Sequence, residues 1–226
     1  VEEDENSFPE IAERIDEILH KPRGQGVQEL DTLLDELDAA VKAQPSAALL
    51  CAIGYGLYVH PERVSHPEMN EHLKEVLNDA LRLDSNFAPA ALYLAHYNYD
   101  LGEYSLAVEL FQQALGACWN DYYRTKIVEL LVCCRIHLVG LRGCLGDLSQ
   151  FVELCGTVDE YDVFPIELFK TVNSAVVSGA DVEAVSKAAR LLETLVDITN
   201  QRTVFEEDIR NLLHIARQRR PEAELE

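Results

Sequence analysis

Cations, long apolar runs, glycine and proline are all scarce in this 226-residue chain, and each shortage removes a class of function. Nineteen Lys and Arg stand against 40 Asp and Glu, a formal net charge of −21. Binding to nucleic acid or an anionic membrane needs Lys and Arg to displace counterions from phosphate, so neither is an expected partner. No stretch of eighteen apolar residues occurs, which excludes a transmembrane helix. The first residues, VEEDENSF, are acidic instead of basic-then-apolar, so no secretory leader is expected. Eleven glycines and eight prolines leave few interruptions for helices. Period-two alternation bounded by turn residues is missing, so no strands are expected either.

Reactive motifs are equally sparse. There is no nucleophile elbow, phosphate loop or dinucleotide fingerprint. Six cysteines, at 51, 118, 133, 134, 144 and 155, are too few for a disulfide scaffold in a chain of this length. Single cysteines in apolar helical stretches behave as small core hydrophobes in a reducing cell, which predicts a cytoplasmic protein. Cys133 and His137, four residues apart, would share a metal if Cys144 or Cys155 joined them. A structural zinc site, however, presents Cys-x-x-Cys pairs on turns, and none is present. His60 and His66 bracket PERVS, with Glu62 and Glu68 nearby, in a spacing that matches no ligand motif; a solvated connection is expected there. The reading is of a non-enzyme without cofactor or metal.

What the chain does have is helical periodicity almost throughout. Ile11, Ile15, Ile18 and Leu19 fall on one face of residues 8–20, and Leu30, Leu33, Leu34, Leu37 and Val41 on one face of 27–41. Similar runs follow at about 46–59, 67–83, 87–100, 103–116, 120–139, 146–155, 160–178, 181–199 and 202–219. Breaks fall at residues 22–26, Pro45, residues 61–67, Gly102, residues 140–146 and Gly179. About eleven helices joined by short connections predict antiparallel helix pairs.

Acidity is distributed unevenly. Residues 1–85 carry 19 acids and 7 bases, residues 86–145 carry 5 and 4, and residues 146–226 carry 16 and 8. A nearly neutral middle therefore lies between two acidic ends. The densest acidic face belongs to the first two helices, with Glu13, Asp16, Glu17, Asp35 and Glu36 as its candidate contact residues. Such a face solvates an amphipathic helix, and at this density it would also draw in a basic protein.

Self-similarity gives the architecture. In residues 88–115, Leu94 and Ala95, then Gly102 and Tyr104, then Ala107, Phe111 and Ala114 form a small–large–small pattern across two helices and a turn. The stretch resembles the tetratricopeptide repeat family. Residues 80–90 look like the family's repeat junction, with Ala80 where Ala114 falls; Ala40, five residues before Pro45, has the family's junction spacing, and Leu50, Ile53, Gly54 and Leu57 occupy the expected places in the preceding unit. That unit is lengthened by about seven residues at VHPERVSHPE. The resemblance covers roughly residues 13–155 and is strongest over 80–116. It implies an all-α, right-handed superhelix (α-solenoid) of antiparallel helix pairs. The expected divisions are an acidic tail at 1–7, repeats over 8–156, helices at 157–219 that pack on or extend the solenoid, and a tail at 220–226.

First helices of such repeats line a concave surface that the family commonly uses for peptides. The resemblance carries that surface onto Ala48, Cys51, Tyr55, Tyr58 and Val59, then Pro89, Leu92, His96, Tyr99 and Asp100, then Tyr123, Lys126, Leu130, Cys133 and Cys134. The lysine, arginine and asparagine that clamp a terminal carboxylate in the chaperone-binding subgroup are replaced here by Tyr, His, Leu and Cys. Tyr55, Tyr58, His96, Tyr99, Tyr123 and Lys126 are the candidate contacts, since tyrosine buries a large rigid ring and keeps a hydroxyl for hydrogen bonding. The expected function is a non-catalytic scaffold or adaptor that binds a peptide or protein, including a basic one. The alternative is an acidic immunity- or inhibitor-type protein that neutralises a basic toxin or nuclease. A metal- or thiol-dependent enzyme ranks third.

Overall fold

The computed structural model describes residues 7–117, 121–158 and 163–218. The acidic stretch 1–6, Cys118, Arg219 and the tail 220–226 lie outside the described residues. Among those described, the structure is all-helical: α1 (Phe8–Leu19), α2 (Arg23–Ala43), α3 (Ala47–Val59), α4 (Pro67–Leu83), α5 (Ala88–Asp100), α6 (Tyr104–Gly116), α7 (Asp121–Gly143), α8 (Leu145–Cys155), α9 (Ile166–Val177), α10 (Val182–Ile198) and α11 (Arg202–Gln218). A single 3₁₀ turn, Arg63–Ser65, lies in the connection between α3 and α4.

Local chemistry explains the boundaries. Ser46 caps α3, its hydroxyl accepting from the Leu49 N–H at 3.2 Å. Asp181 caps α10 in the same way, accepting from the Ala184 N–H at 3.0 Å. Pro67 occupies the first turn of α4, where its missing N–H is not needed. One end differs from the periodicity. α2 begins at Arg23, inside the expected break, because Pro22 sets an extended N-cap and the following residues close their first turn onto the Pro22 carbonyl. Within α7, Gly140 takes φ 77° and ψ 166°, outside the helical region, so two helical segments meet at a kink where the sequence places a break.

The chain divides into two compact units, residues 1–101 and 102–226. The division falls after Leu101, between the two helices of the best repeat unit. In the first unit α3 is the central element: it packs on α1, α2, α4 and α5. Its sequence Gly54-Tyr55-Gly56 shows how. A Cβ on Gly54 would lie 2.4 Å from Leu77 Cδ2 of α4, and one on Gly56 would lie 2.8 Å from Leu34 Cδ2 of α2. Absent side chains on two sides of α3 admit two neighbours and leave Tyr55 between them. Ile15, Leu30, Ile53, Leu73 and Leu77 fill this core.

In the second unit α7 is central, packing on α6, α8, α9 and α10, while α11 packs on α9 and α10. Phe169 of α9 and Phe205 of α11 stack at 4.2 Å. Cys133, Cys134, Cys144 and Cys155 are all in this core.

Candidate functional site: an aromatic surface on the first unit

Helical spacing assembles the site. On α3, Tyr55 and Tyr58 are three apart; on α5, Tyr93, His96 and Asp100 fall at i, i+3 and i+7. Each set shares one face of its helix, and α3 packs on α5. Tyr55 and Tyr93 are 4.6 Å apart between ring centroids, Tyr58 and Tyr93 6.2 Å, and Tyr58 and His96 6.0 Å. Phe8, at the first turn of α1, closes the cluster at 6.3 Å from Tyr55 and 5.9 Å from Tyr93, with Phe87 edge-on at 6.2 Å. Phe8 is buried, whereas Tyr55, Tyr58, Tyr93 and His96 are half-buried. Rings at these distances favour tilted and edge-on packing, which fixes their orientation before any partner arrives.

Carboxylates and one cation border the rings. The Tyr55 hydroxyl donates to Asp16 of α1. Arg63 lies with its Cζ 4.7 Å from the Tyr58 ring centroid, and its Nη2 donates to Asp100 Oδ2 at 3.1 Å.

The remaining candidate contacts are Tyr99, Tyr123 and Lys126. Tyr99 is half-buried near the end of α5, while Tyr123 and Lys126 belong to α7 in the second unit. Tyr123 packs edge-on against the exposed Tyr122 at 5.4 Å. Lys126 donates to Glu129 at 2.7 Å and to the Phe164 carbonyl at 2.8 Å, so its ammonium is engaged within the unit. Five positions that the repeat resemblance places in the trough are core instead: Cys51, Leu92, Leu130, Cys133 and Cys134. They are small or aliphatic side chains at helix–helix contacts, and burial is their better state.

His60 corrects the expectation of a solvated connection, since it is only 4% exposed. Its Nδ1 accepts from the Glu62 N–H at 3.2 Å, which leaves Nε2–H to donate to Asp31 Oδ1 at 3.3 Å. The ring thereby ties the end of α3 to α2. His66 matches the expectation: its side chain is 44% exposed and contacts Glu68 at 2.8 Å.

On the acidic face, Glu13, Asp16 and Glu17 of α1 and Asp35 and Glu36 of α2 are all exposed. Glu36 takes Arg14 at 3.3 Å. Glu13, Glu17 and Asp35 have no cationic partner among the described residues.

In the second unit, the periodicity did not single out Glu129. It is buried, accepting from Lys126 and, at 3.1 Å, from the Leu168 N–H in the first turn of α9. Desolvation raises its pKa, opposed by Lys126. Cys133 lies on the same face, and burial pushes its thiol far above the usual range; Cys134 and Cys155 rise to about 12 and Cys144 to about 11 for the same reason. These thiols are protonated at neutral pH and poor nucleophiles. His137 stacks flat on Tyr104 at 4.1 Å. Among the described residues, no three His, Cys, Asp or Glu converge as a metal cage, and no helix is long and apolar enough to cross a membrane.

Sequence reasoning missed Phe8, Tyr93 and Arg63. The spacing of Tyr93 with His96 and Asp100 was the available signal for one of them; Phe8 and Arg63 had none, because their contacts span helices. No protein-family model matches the chain, and no curated protein matches it in sequence.

Proposed function

We propose that the protein is a non-catalytic binding module built from tetratricopeptide-like antiparallel helix pairs in a right-handed superhelix, and that it captures a peptide or another protein. The observation that carries this reading is the half-buried cluster of Tyr55, Tyr58, Tyr93 and His96, rigidified by ring contacts and bordered by Asp16 and Asp100. Preformed aromatic surface of this kind supplies affinity at small entropic cost. The architecture draws support from alternate-neighbour packing: α3 touches α1 and α5 in the first unit, and α9 touches α7 and α11 in the second. The reading places the protein in the cytoplasm, where buried thiols stay reduced.

The test is partner capture from a lysate of the source organism by immobilised full-length chain, compared with a Tyr58→Ala/His96→Ala variant of equal helicity. Loss of two central anchors, each worth about 2 kcal/mol, lowers retention at least about tenfold. Undiminished capture of the same protein by the folded variant refutes the reading.

A second reading, an antidote that masks a basic toxin or nuclease, is favoured by one feature: the uncompensated carboxylates Glu13, Glu17 and Asp35. It requires an association rate that falls steeply as salt rises. A rate that is flat between low and physiological ionic strength removes it.

A further inference from the structure

The aromatic surface already holds one guanidinium, and it is the protein's own. Arg63 opens the 3₁₀ turn in the connection between α3 and α4. Its side chain is 18% exposed, whereas Val64, the next residue, is 89% exposed. The turn therefore directs a charged side chain inward and an apolar one outward, the reverse of what solvation alone would choose. Arg63 finds there the two groups that suit a planar cation: the Tyr58 face at 4.7 Å and the Asp100 carboxylate at 3.1 Å. An aromatic face and a carboxylate set at an angle recognise guanidinium better than ammonium, because guanidinium stacks on one while donating to the other.

We infer that the partner presents an arginine, which replaces Arg63 on Tyr58 and Asp100, so that Arg63 acts as a tethered internal competitor. Three features agree with an incoming cation. Residues 1–85 carry 19 acids against 7 bases, which attracts a basic segment. Tyr58 and Asp100 sit on α3 and α5, which pack directly on each other. Arg63 is held by a short exposed turn outside the long helices, so displacing it disturbs no helix. While Arg63 occupies the position, the apparent affinity for an external arginine is lowered by the fraction of molecules in which the site is open.

This inference rests on the binding-module reading, and its test separates the two. The probes are acetyl-Gly-Arg-Gly-Arg-Gly-amide and its lysine counterpart, titrated into the full-length chain at physiological salt and followed by calorimetry. Wild type is expected to prefer the arginine peptide. Arg63→Ala removes the competitor and tightens arginine-peptide binding about five- to tenfold, the range set by a partly desolvated cation–π contact. Lys74→Ala makes the same charge change on an exposed part of α4 and shifts binding less than about twofold, as a screened surface charge should. Tyr58→Leu abolishes the arginine-over-lysine preference; this arm stands alone if Arg63→Ala proves unstable.

Equal affinity of wild type for the two peptides, or equal gains from Arg63→Ala and Lys74→Ala, overturns the inference. In that case capture that still depends on Tyr58 and His96 leaves the binding-module reading in place. Conversely, an arginine preference together with capture indifferent to those residues overturns that reading, and with it the claim that the captured partner's arginine uses Tyr58.

Discussion

The two units are built from the same kind of helix and spend their polar groups in opposite ways. In the first, tyrosines and carboxylates remain at or near the surface, and Glu13, Glu17 and Asp35 lack a cation among the described residues. In the second, several ions are matched. Arg142 grips Asp181 with two bonds of 2.9 and 2.6 Å, Arg202 grips Asp197 at 2.6 and 2.7 Å, Arg135 takes Asp147, and Lys126 takes the buried Glu129. Its cysteines and its buried carboxylate are core components. Polar groups already partnered contribute little to recognition, whereas oriented rings and unmatched carboxylates can still gain from a partner. The contrast supports the proposal that binding falls to the first unit.

Removing the buried partner in the second unit should have the largest effect. Glu129→Ala leaves the Leu168 N–H without its acceptor and Lys126 with the Phe164 carbonyl alone, and breaking a buried pair from one side costs about 3–5 kcal/mol. Chemical denaturation should show a loss of this size in the transition of the second unit. Lys126→Met, which removes the less buried member, should cost less. Equal, small losses in both variants would mean that the pair is solvated and that the contrast between units is false.

Next in size is a packing change in the first unit. Gly54→Ala sets a methyl 2.4 Å from Leu77 Cδ2, inside a fully buried contact, and overpacking costs about 1–3 kcal/mol. Leu77→Ala creates a cavity by itself but makes room for that methyl, so the double variant should be more stable than the sum of the singles predicts. Strict additivity would show that α3 and α4 do not interlock at this glycine.

These two sites also measure how far the sequence could be read. Gly54 was legible: its place between Ile53 and Leu57 in the repeat pattern asks for a small residue, and the structure seats Leu77 on it. The helical runs that start near Ser46 and Pro67, and the candidates Tyr55 and Tyr58, were legible for the same reason, since a few neighbouring residues determine each. Glu129 was not. Between Val128 and Leu130 it reads as one polar residue of an amphipathic helix, and its burial is made tolerable by Lys126 together with an N–H contributed 39 residues later. Arg63 and His60 were hidden likewise, because a loop's composition suggests solvation whereas their partners lie on Tyr58, Asp100 and Asp31. Periodicity reports which face of a helix is apolar; it is silent on which distant group completes a buried charge.

Titration distinguishes two ionic styles within the second unit. Glu129 has a folded pKa raised by desolvation, so its protonated form is favoured in the folded state. Its contribution is full below the ordinary value near 4.5 and is lost as pH rises through the folded pKa. Asp181 has a pKa lowered to about 2, chiefly by Arg142 and then by the Ala184 N–H. Its contribution is present above the ordinary value near 3.8 and is lost as pH falls toward about 2. Carboxyl-carbon NMR should find the two midpoints on opposite sides of the ordinary range. Coincident midpoints would remove the distinction between a buried and a solvent-facing pair in this unit.

The smallest effect on stability should accompany a clear effect on association. Glu13→Gln, Glu17→Gln and Asp35→Asn together remove three negative charges from exposed positions that hold no cation. Surface changes of this kind shift stability by no more than about 0.5 kcal/mol, and relief of like-charge repulsion makes a slight gain the expected sign. The association rate of a basic partner should nevertheless fall, and its salt dependence should flatten, because steering depends on the summed field and not on any single contact. The dissociation rate should hardly change, as the aromatic contacts remain. A variant that loses stability instead would show that these carboxylates are partnered within the fold, and the first unit would then resemble the second.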